Sequence, residues 1–397
     1  MLTGPFLIGS DIYRTSSYGD RHPLAIPRVS TVLDLVRALG WLAPARYVES
    51  PRASPDELAR FHHADYIAAL ERAETTQHIP AEEARRFNIG CNGNPLFREI
   101  FSRPATACGG SLRGAEMMLA APAPIVIHSP AGGTHHGRPD RASGFCYLND
   151  PVLAMLRLLD GGPGGGVSRI WYVDLDAHHC DGVADAFAGD GRVVMLSVHE
   201  AGRWPFTGAV EEQGCGNLFN LPVPPGFNDD ELAFLLDTVI LPLGRSLAPE
   251  MVIVQCGADA LDEDPLSKLA LSNGALWRAV AAIRDLALRP APPRPPARGL
   301  LVLGGGGYNP WSVARCWTGI WAVLNDIPVP DMLPEPAEAV LRALSWSRSA
   351  GRNPPERWFT TLADPPHRGP VRAEIRALSQ RLQARLEAPE IVLAKAV

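Results

Sequence analysis

The sequence predicts an α/β fold: a single domain with a central, mostly parallel sheet of about eight strands, covered by helices on both faces. Short apolar runs alternate with amphipathic helical patterns, which is typical of parallel strands joined by crossover helices. Polar residues follow each apolar run directly, and in open α/β sheets a site lies outside the carboxyl ends of the strands. The 46% apolar and 20% charged content is that of an ordinary globular chain.

Five short apolar runs are predicted as buried strands, at residues 123–127, 169–173, 192–198, 251–255 and 299–303. Helical periodicity predicts helices at residues 151–159, 229–247, 273–288 and 311–324. After residue 327 the chain is proline-rich and then helical, at 370–386. We therefore expect a domain over residues 1–327 and a C-terminal extension, residues 328–397, that packs on the domain or trails from it.

Bulk charge and hydropathy argue against several kinds of partner. A net charge of −6 and a pI of about 6.0 give no basic field that would attract nucleic acid. No apolar run approaches the roughly 20 residues of a membrane span, so we expect no membrane partner and a cytoplasmic protein. The seven cysteines are scattered without C-x-x-C spacing, which favours reduced thiols. Arginines interleave with acids in the tail and favour a solvated helix face; they are Arg368, Arg372, Arg376, Arg381 and Arg385.

The segment at residues 171–182, WYVDLDAHHCDG, is the most informative part of the chain. Three acids and two histidines come at the end of a buried strand. Buried charge is costly unless a partner offsets it, and a bound cation is the simplest partner. Asp176 and His178 are two residues apart, so on extended backbone they point to the same side. Their oxygen and nitrogen donors suit Zn²⁺ or Fe²⁺.

Other strand ends supply further polar groups. The pair His135–His136 follows a glycine loop, and two imidazoles near a metal can divide proton transfer and charge support. Each would need a carboxylate to fix its tautomer, and Asp174 and Asp181 could serve. Asp259 directly follows a strand and is our choice for a third metal ligand, whereas Asp262, Glu263 and Asp264 resemble a solvated turn.

The last of these segments is a run of four glycines that ends at Tyr308. A phosphate cradle is a weak interpretation, because no Gly-Lys-Ser/Thr follows. A tyrosine beside the run is better placed to donate a hydrogen bond to a developing oxyanion.

Taken together, these stretches resemble the histone deacetylase superfamily, also called the arginase–deacetylase fold. Within it the chain is similar to bacterial members near class I and to acetoin-utilisation-type deacetylases. The matching stretches cover roughly residues 10 to 325 in the family's order. They are residues 22–23, 61–66, 132–136, 142–150, 171–182, 255–259 and 304–317.

The resemblance implies a role for each candidate residue. It makes residues 1–327 a zinc-dependent deacetylase domain in which Asp176, His178 and Asp259 hold zinc, with Fe²⁺ as the alternative metal. His136 is then the general base that later protonates the leaving amine. His135 supports charge with Asp174 behind it, Asp181 orients His136, and Tyr308 donates to the oxyanion.

The resemblance also implies subsites around this centre. The substrate tunnel would be lined by Gly144, Phe145, Trp204, Leu266 and Gly306. A structural monovalent cation, K⁺ or Na⁺, would be held by Asp174, Asp176, His178, Ser197 and Val198. Arg28 corresponds to the basic residue of an internal acetate pocket, and Asn92 lies where the rim of the tunnel often carries an aspartate.

The departures from the family pattern concern four positions. Cys180 replaces a glycine; its thiolate could ligate zinc, but a simple replacement is the favoured interpretation. With no aspartate at this position, a binuclear ureohydrolase is disfavoured. Trp204 is larger than the usual phenylalanine, and Asn92 would grip a peptide backbone less well than aspartate. Leu266 is apolar where polyamine-selective members would carry an acid.

The function implied is a zinc-dependent amidohydrolase that removes acyl groups, most often N6-acetyl, from lysine side chains of proteins and releases acetate. Its partner would be an acylated lysine in a protein or peptide. One alternative is a deacetylase of small N-acyl amines such as acetylpolyamines. Another is a regulator that binds acyl-lysine without catalysis.

Overall fold

The computed structural model describes residues 3–161 and 165–387. The described residues form one eight-stranded sheet in which every paired strand is parallel, which confirms the α/β class. The strands are β1 (Thr3–Gly9), β2 (Tyr47–Glu49), β3 (Ile125–Ser129), β4 (Ile170–Asp174), β5 (Val193–Glu200), β6 (Leu218–Val223), β7 (Met251–Gln255) and β8 (Gly299–Leu303). Their order across the sheet is β2-β1-β3-β8-β7-β4-β5-β6.

Helices connect and cover these strands. They are α1 (Ile12–Thr15), α2 (Val29–Ala38), α3 (Pro55–Leu58), α4 (Ala64–Thr76), α5 (Ala81–Phe87), α6 (Ser102–Ala120), α7 (Asp150–Asp160), α8 (Asp181–Phe187), α9 (Asp229–Leu235), α10 (Leu241–Leu247), α11 (Asn273–Leu288), α12 (Pro310–Leu324), α13 (Glu335–Arg342), α14 (Arg357–Thr360) and α15 (Ala373–Glu387). No helix among the described residues is both long and apolar enough to cross a membrane.

The five predicted strands are present as β3, β4, β5, β7 and β8, and three further strands were missed. β2 has only three residues, and β1 offers only a short apolar run, from Phe6 to Ile8, between glycines. β6 contains Asn220 and Pro222, which are unusual inside a strand. β6 is an edge strand, so the missing N–H of its proline need not interrupt a ladder on both sides.

Successive side chains along each strand point to opposite faces of the sheet, and this divides the core into two apolar layers. In β4, Trp171 and Val173 face the layer that contains α2 and α9 to α13, whereas Ile170 and Tyr172 face the layer built with α6, α7 and α8. All five residues of β4 are buried. The sheet is therefore covered on both faces, and only its strand ends can open to solvent.

The helix predicted over residues 229–247 is interrupted by a π-helical turn, Leu236–Ile240, between α9 and α10. Pro242 has no N–H to donate to the carbonyl of Thr238 one turn earlier. That carbonyl instead accepts a hydrogen bond of 3.1 Å from the Gln383 side chain in α15. The proline thus explains the irregular turn, and the C-terminal segment satisfies the group that it leaves unpaired.

The C-terminal segment packs against the rest of the chain as far as residue 387. Trp358 stacks on Trp311 of α12 at a centroid distance of 5.1 Å. Two of the tail arginines make core contacts, so the expectation of a wholly solvated helix face is wrong: Arg372 pairs with the buried carboxylate of Glu231, and Arg385 lies over the Phe219 ring. The domain boundary at residue 327 stays a prediction, and residues 388–397 lie outside the described residues.

The C-terminal segment also contributes one side of a buried ion pair, and we expect Asp364→Ala to destabilise the protein by about 3 kcal/mol or more. The Arg315 side chain is fully buried and contacts Asp364 at 2.6 Å. Removing the acid leaves an uncompensated guanidinium in the core. Chemical denaturation should show the loss. The exposed pair of Arg60 with Asp160 provides a control, since Asp160→Ala should change stability little. Equal stability of the two variants would contradict this.

Candidate active site

The site lies at the centre of the sheet, where the carboxyl ends of β3, β8, β7 and β4 lie side by side. A segment rich in polar residues follows each of these strands. The segments supply His135 and His136 after β3, Asp176 and His178 after β4, Asp259 after β7, and Tyr308 after β8. Parallel topology therefore collects residues that are far apart in the sequence at one edge.

Asp176, His178 and Asp259 form the one buried cluster of potential metal ligands found among the described residues. Their ligand atoms lie within 4.8 Å of one another. His178 Nδ1 is 2.9 Å from Asp259 Oδ2 and 3.2 Å from Asp176 Oδ1. Burial opposes protonation of His178, but its hydrogen bonds to the two acids outweigh burial and raise its pKa to about 10. The cluster thus draws positive charge to its centre.

The two carboxylates respond differently to their surroundings. Burial opposes ionisation of Asp176, yet the positive charge of His135 and the hydrogen bond from His178 lower its pKa. Burial and the neighbouring charge of Asp176 raise the pKa of Asp259. Two buried acids that compete for the same positive charge favour the binding of a divalent cation.

The backbone around the carboxylates is shaped to leave them room. A Cβ atom added at Gly306 would lie 2.1 Å from Asp259 Oδ2, and one added at Gly257 would lie 2.1 Å from Asp176 Oδ2. The N–H of Gly306 also donates to Asp176 Oδ2 at 2.7 Å. Two carboxylates and one imidazole, converging in a buried cradle, fit a Zn²⁺ or Fe²⁺ site with an open position.

Each member of the histidine pair has its own carboxylate. His135 Nδ1 lies 2.7 Å from Asp174 Oδ2, and His136 Nδ1 lies 2.6 Å from Asp181 Oδ1. Burial opposes protonation of His135, but Asp174 and Asp176 raise its pKa to about 9. Burial and the charge of His135 lower the pKa of His136 to about 3. The two imidazoles therefore differ in their tendency to hold a proton, which suits a division of proton-transfer roles.

Two supports of these carboxylates were missed from the sequence. The Tyr172 hydroxyl donates to Asp174 Oδ2 at 2.6 Å, and the Arg138 guanidinium pairs with Asp181. Tyr172 could have been suspected, because it lies two residues before Asp174 and so on the same side of β4. No pattern in the sequence indicates the role of Arg138, since its contact with Asp181 depends on how the loop after β3 folds.

A cavity of about 830 Å³ opens onto these groups, and a smaller one of about 40 Å³ lies behind it. Five residues line both: His136, Gly144, Phe145, His178 and Tyr308. The larger cavity is also lined by Trp204, Leu266 and Asn92, and the smaller by Arg28 and Gly306. The structure thus places all the residues predicted for the tunnel, the rim and the acetate pocket around these two adjoining cavities.

Aromatic rings form the walls of the larger cavity. The Trp204 ring lies edge-on to the His136 ring at a centroid distance of 4.6 Å. Phe145 lies 5.9 Å from the Tyr308 ring, also edge-on. The N–H of Phe145 donates to the Asn94 side chain at 2.8 Å, which fixes this wall in place. Aromatic rings thus cover part of the cavity wall beside the histidines and Tyr308.

Tyr308 is held by its backbone while its hydroxyl makes no hydrogen bond to any described residue. Its N–H donates to Asp264 Oδ2 at 2.6 Å. The expectation that Asp264 belongs to a solvated turn is therefore wrong: the residue is 5% exposed, and burial together with the charge of Asp259 raises its pKa to about 8. Burial by tertiary packing could not be inferred from a run of acids.

The remaining candidates lie away from the cavity. Cys180 is fully buried in an apolar cluster and is not part of the metal-ligand set; burial raises the pKa of its thiol, which agrees with a simple replacement of glycine. His179 is buried, with Nδ1 2.8 Å from Thr207 Oγ1. Ser197 lies opposite Asp174 in the β4–β5 register, and Val198 follows it. A monovalent cation at these residues stays a prediction.

Comparisons with known proteins show which family this chain resembles in sequence and structure. The histone deacetylase domain family matches residues 22–324. Histone deacetylase 9 of Arabidopsis thaliana is 34% identical over 325 residues, which cover 80% of this chain and 72% of the relative. Histone deacetylase 1 of Homo sapiens is 32% identical over 324 residues, which cover 80% of this chain and 64% of the relative. The chain spans as little as 61% of the length of the curated relatives it matches.

Solved structures are similar over nearly the whole chain. The crystal structure of an HDAC homolog from Aquifex aeolicus has a TM-score of 0.87 at 35% identity, covering 96% of this chain and 100% of that one. An HDAC homolog complexed with SAHA gives the same values. The similarity to bacterial and acetoin-utilisation-type members stays a prediction. The family match over three quarters of the sequence, together with the shared fold, shows that the chain belongs to the histone deacetylase family.

Proposed function

We propose that this protein is a zinc-dependent deacetylase that hydrolyses N6-acetyl groups on lysine side chains and releases acetate. The observation that carries the proposal is the convergence of a buried Asp-His-Asp cluster with two carboxylate-paired histidines at the end of an aromatic-walled cavity. Asp176, His178 and Asp259 would hold the metal. Family membership and the similarity to a homolog that binds SAHA support the same reaction class.

Bound zinc would polarise the acyl carbonyl and lower the pKa of the attacking water. His136, with Nδ1 engaged by Asp181, uses Nε2 to accept the water proton and later protonates the leaving amine. His135, paired with Asp174, contributes positive charge beside the reacting groups. The Tyr308 hydroxyl, free of described partners, donates to the negative charge that develops on the acyl oxygen.

The neighbouring subsites follow from the same proposal. Phe145 and Trp204 enclose the aliphatic chain of the lysine, with Leu266 near the mouth. Arg28, whose guanidinium donates to the Gly305 carbonyl at 2.7 Å, would bind acetate in the smaller cavity. K⁺ or Na⁺ would occupy the site at Asp174 and Ser197 as a structural ion.

The test is a substrate panel on the zinc-loaded protein, with acetyl-lysine peptides, longer acyl-lysine peptides and acetylpolyamines measured side by side. We expect turnover of the acetyl-lysine peptides that is lost on chelation and restored by zinc. Turnover of acetylpolyamines alone would replace the proposal with the small-amine alternative. Tight binding of acyl-lysine by the metal-loaded protein, without any turnover, would indicate a regulatory binder instead.

The contact between His136 and Asp181 makes a specific kinetic prediction. Asp181→Asn should lower kcat/KM by about 10²-fold, because the tautomer and orientation of the general base are lost. The matched control is Asp185→Asn, since both acids pair with Arg138 but the Asp185 side chain is 71% exposed. That variant should keep nearly full activity. A similar loss in both variants would mean that Arg138, and not the orientation of His136, determines the effect.

A further inference from the structure

Lysine is nearly absent from this protein. Of its 37 lysine and arginine residues, only Lys268 and Lys395 are lysines, and Lys395 lies outside the described residues. Lys268 is exposed and lines the larger cavity. Lys268 therefore supplies an ammonium group beside the cavity in a chain in which 35 of the 37 basic side chains are arginines.

The other charges of the cavity lining neutralise one another. The buried Glu200 carboxylate pairs with the Arg203 guanidinium, and it also accepts the backbone N–H of Lys268 at 2.8 Å. Glu200 thereby fixes the backbone of Lys268, while Arg203 offsets the negative charge of Glu200. The Lys268 ammonium forms no ion pair with any carboxylate in the described part of the chain.

The remainder of the mouth is neutral. The Asn92 amide donates to the Asn88 side chain at 2.9 Å, so both polar groups on this side are uncharged and engaged with each other. Trp204 and Phe206 are 39% and 75% exposed, which makes the neighbouring wall apolar. One positive charge, that of Lys268, is thus left without a charged partner among the residues that line this cavity.

We propose that Lys268 is a specificity-determining residue that binds a carboxylate carried by the substrate next to the acylated lysine. This inference rests on the proposed deacetylase function and adds a charge preference to it. An ammonium is a compact charge with three donors on a flexible stem, so it can reach a carboxylate at the mouth without fixing one geometry. The same charge repels a second ammonium, as in an acetylpolyamine or a lysine-rich peptide.

The experiment compares three peptides of equal length in which acetyl-lysine is flanked by Glu, Gln or Lys. We expect the zinc-loaded protein to prefer the Glu peptide over the Lys peptide by about fivefold in kcat/KM. This value combines the solvent-exposed attraction of Lys268 for the Glu carboxylate with its repulsion of the Lys ammonium. Lys268→Gln should abolish the preference, Lys268→Glu should reverse it, and Lys268→Arg should keep it. The preference should also weaken as ionic strength rises.

Two controls make the result decisive. Arg294→Gln removes one positive charge from the loop at the amino end of β8, whereas the site lies at the carboxyl ends of the strands, and this variant should leave the preference intact. A pair of Nα-blocked acetyl-lysines, with free or amidated α-carboxylate, tests whether a single amino acid can supply the carboxylate.

Equal kcat/KM for the three peptides, or a preference that survives in Lys268→Gln, would overturn the inference. If no peptide is turned over, the deacetylase proposal fails, and peptide affinities from fluorescence anisotropy still decide whether Lys268 selects acidic sequences.

Discussion

Tyr308→Phe should lower kcat by about 10² to 10³, the usual cost of losing one donor to a developing oxyanion. The hydroxyl has no described hydrogen-bond partner, so its removal leaves no protein group unpaired. The backbone of Tyr308 is fixed independently by Asp264, so the phenyl ring should keep its position. KM should therefore change much less than kcat, which is the signature of an interaction made in the transition state.

The matched control is Tyr13→Phe, which removes a buried hydroxyl without a described partner, from a residue that lines neither cavity. It should leave kcat unchanged. Steady-state kinetics on an acetyl-lysine peptide, with melting temperatures of both variants, separate chemistry from folding. Unchanged turnover in Tyr308→Phe would remove this residue from the mechanism.

The sequence predicts much of this site because its chemistry sits at the ends of apolar strands. Asp176 and His178 follow β4, and Asp259 follows β7, so periodicity alone placed them at one edge of the sheet. The carboxylate partners of the histidines could be named as candidates, but the assignment of each acid to one imidazole came from the resemblance and is seen here as contacts of 2.7 and 2.6 Å.

What the sequence did not predict depends on tertiary packing. Asp264 is polar and lies in an acidic run, yet the loop folds it under Tyr308 and buries it. Glu200 and Lys268 are 68 residues apart, and no periodicity connects a strand end with a loop across the cavity mouth. The two edge strands give a weak sequence signal, because β2 has only three residues and β6 contains an asparagine and a proline, which an edge position tolerates.

Asp259→Asn should abolish both metal retention and activity, with zinc affinity at least 100-fold weaker, since even residues that only orient a ligand typically contribute 10–100-fold. The amide offers a weaker, neutral donor in place of a carboxylate that lies within 4.8 Å of the other two ligand atoms. Zinc at 100 times its Kd should stabilise the wild-type protein by about 2.7 kcal/mol, and the same concentration should stabilise a 100-fold weaker variant by only about 0.4 kcal/mol.

Asp262→Asn is the matched control for this variant, because the residue lies three positions further along the same loop, with a side chain 48% exposed, outside the ligand cluster. It should retain one zinc per chain after dialysis and the full zinc-induced rise in melting temperature. If Asp259→Asn instead has a normal metal content and a normal zinc-induced stabilisation, the third ligand must be another group. Because thermal stabilisation is measured without substrate, the assignment of the metal site can fail or hold independently of the proposed reaction.

Metal binding would also explain why Asp176 and Asp259 are buried side by side. Two adjacent buried acids are costly alone, and a divalent cation makes their burial favourable because it offsets their charge.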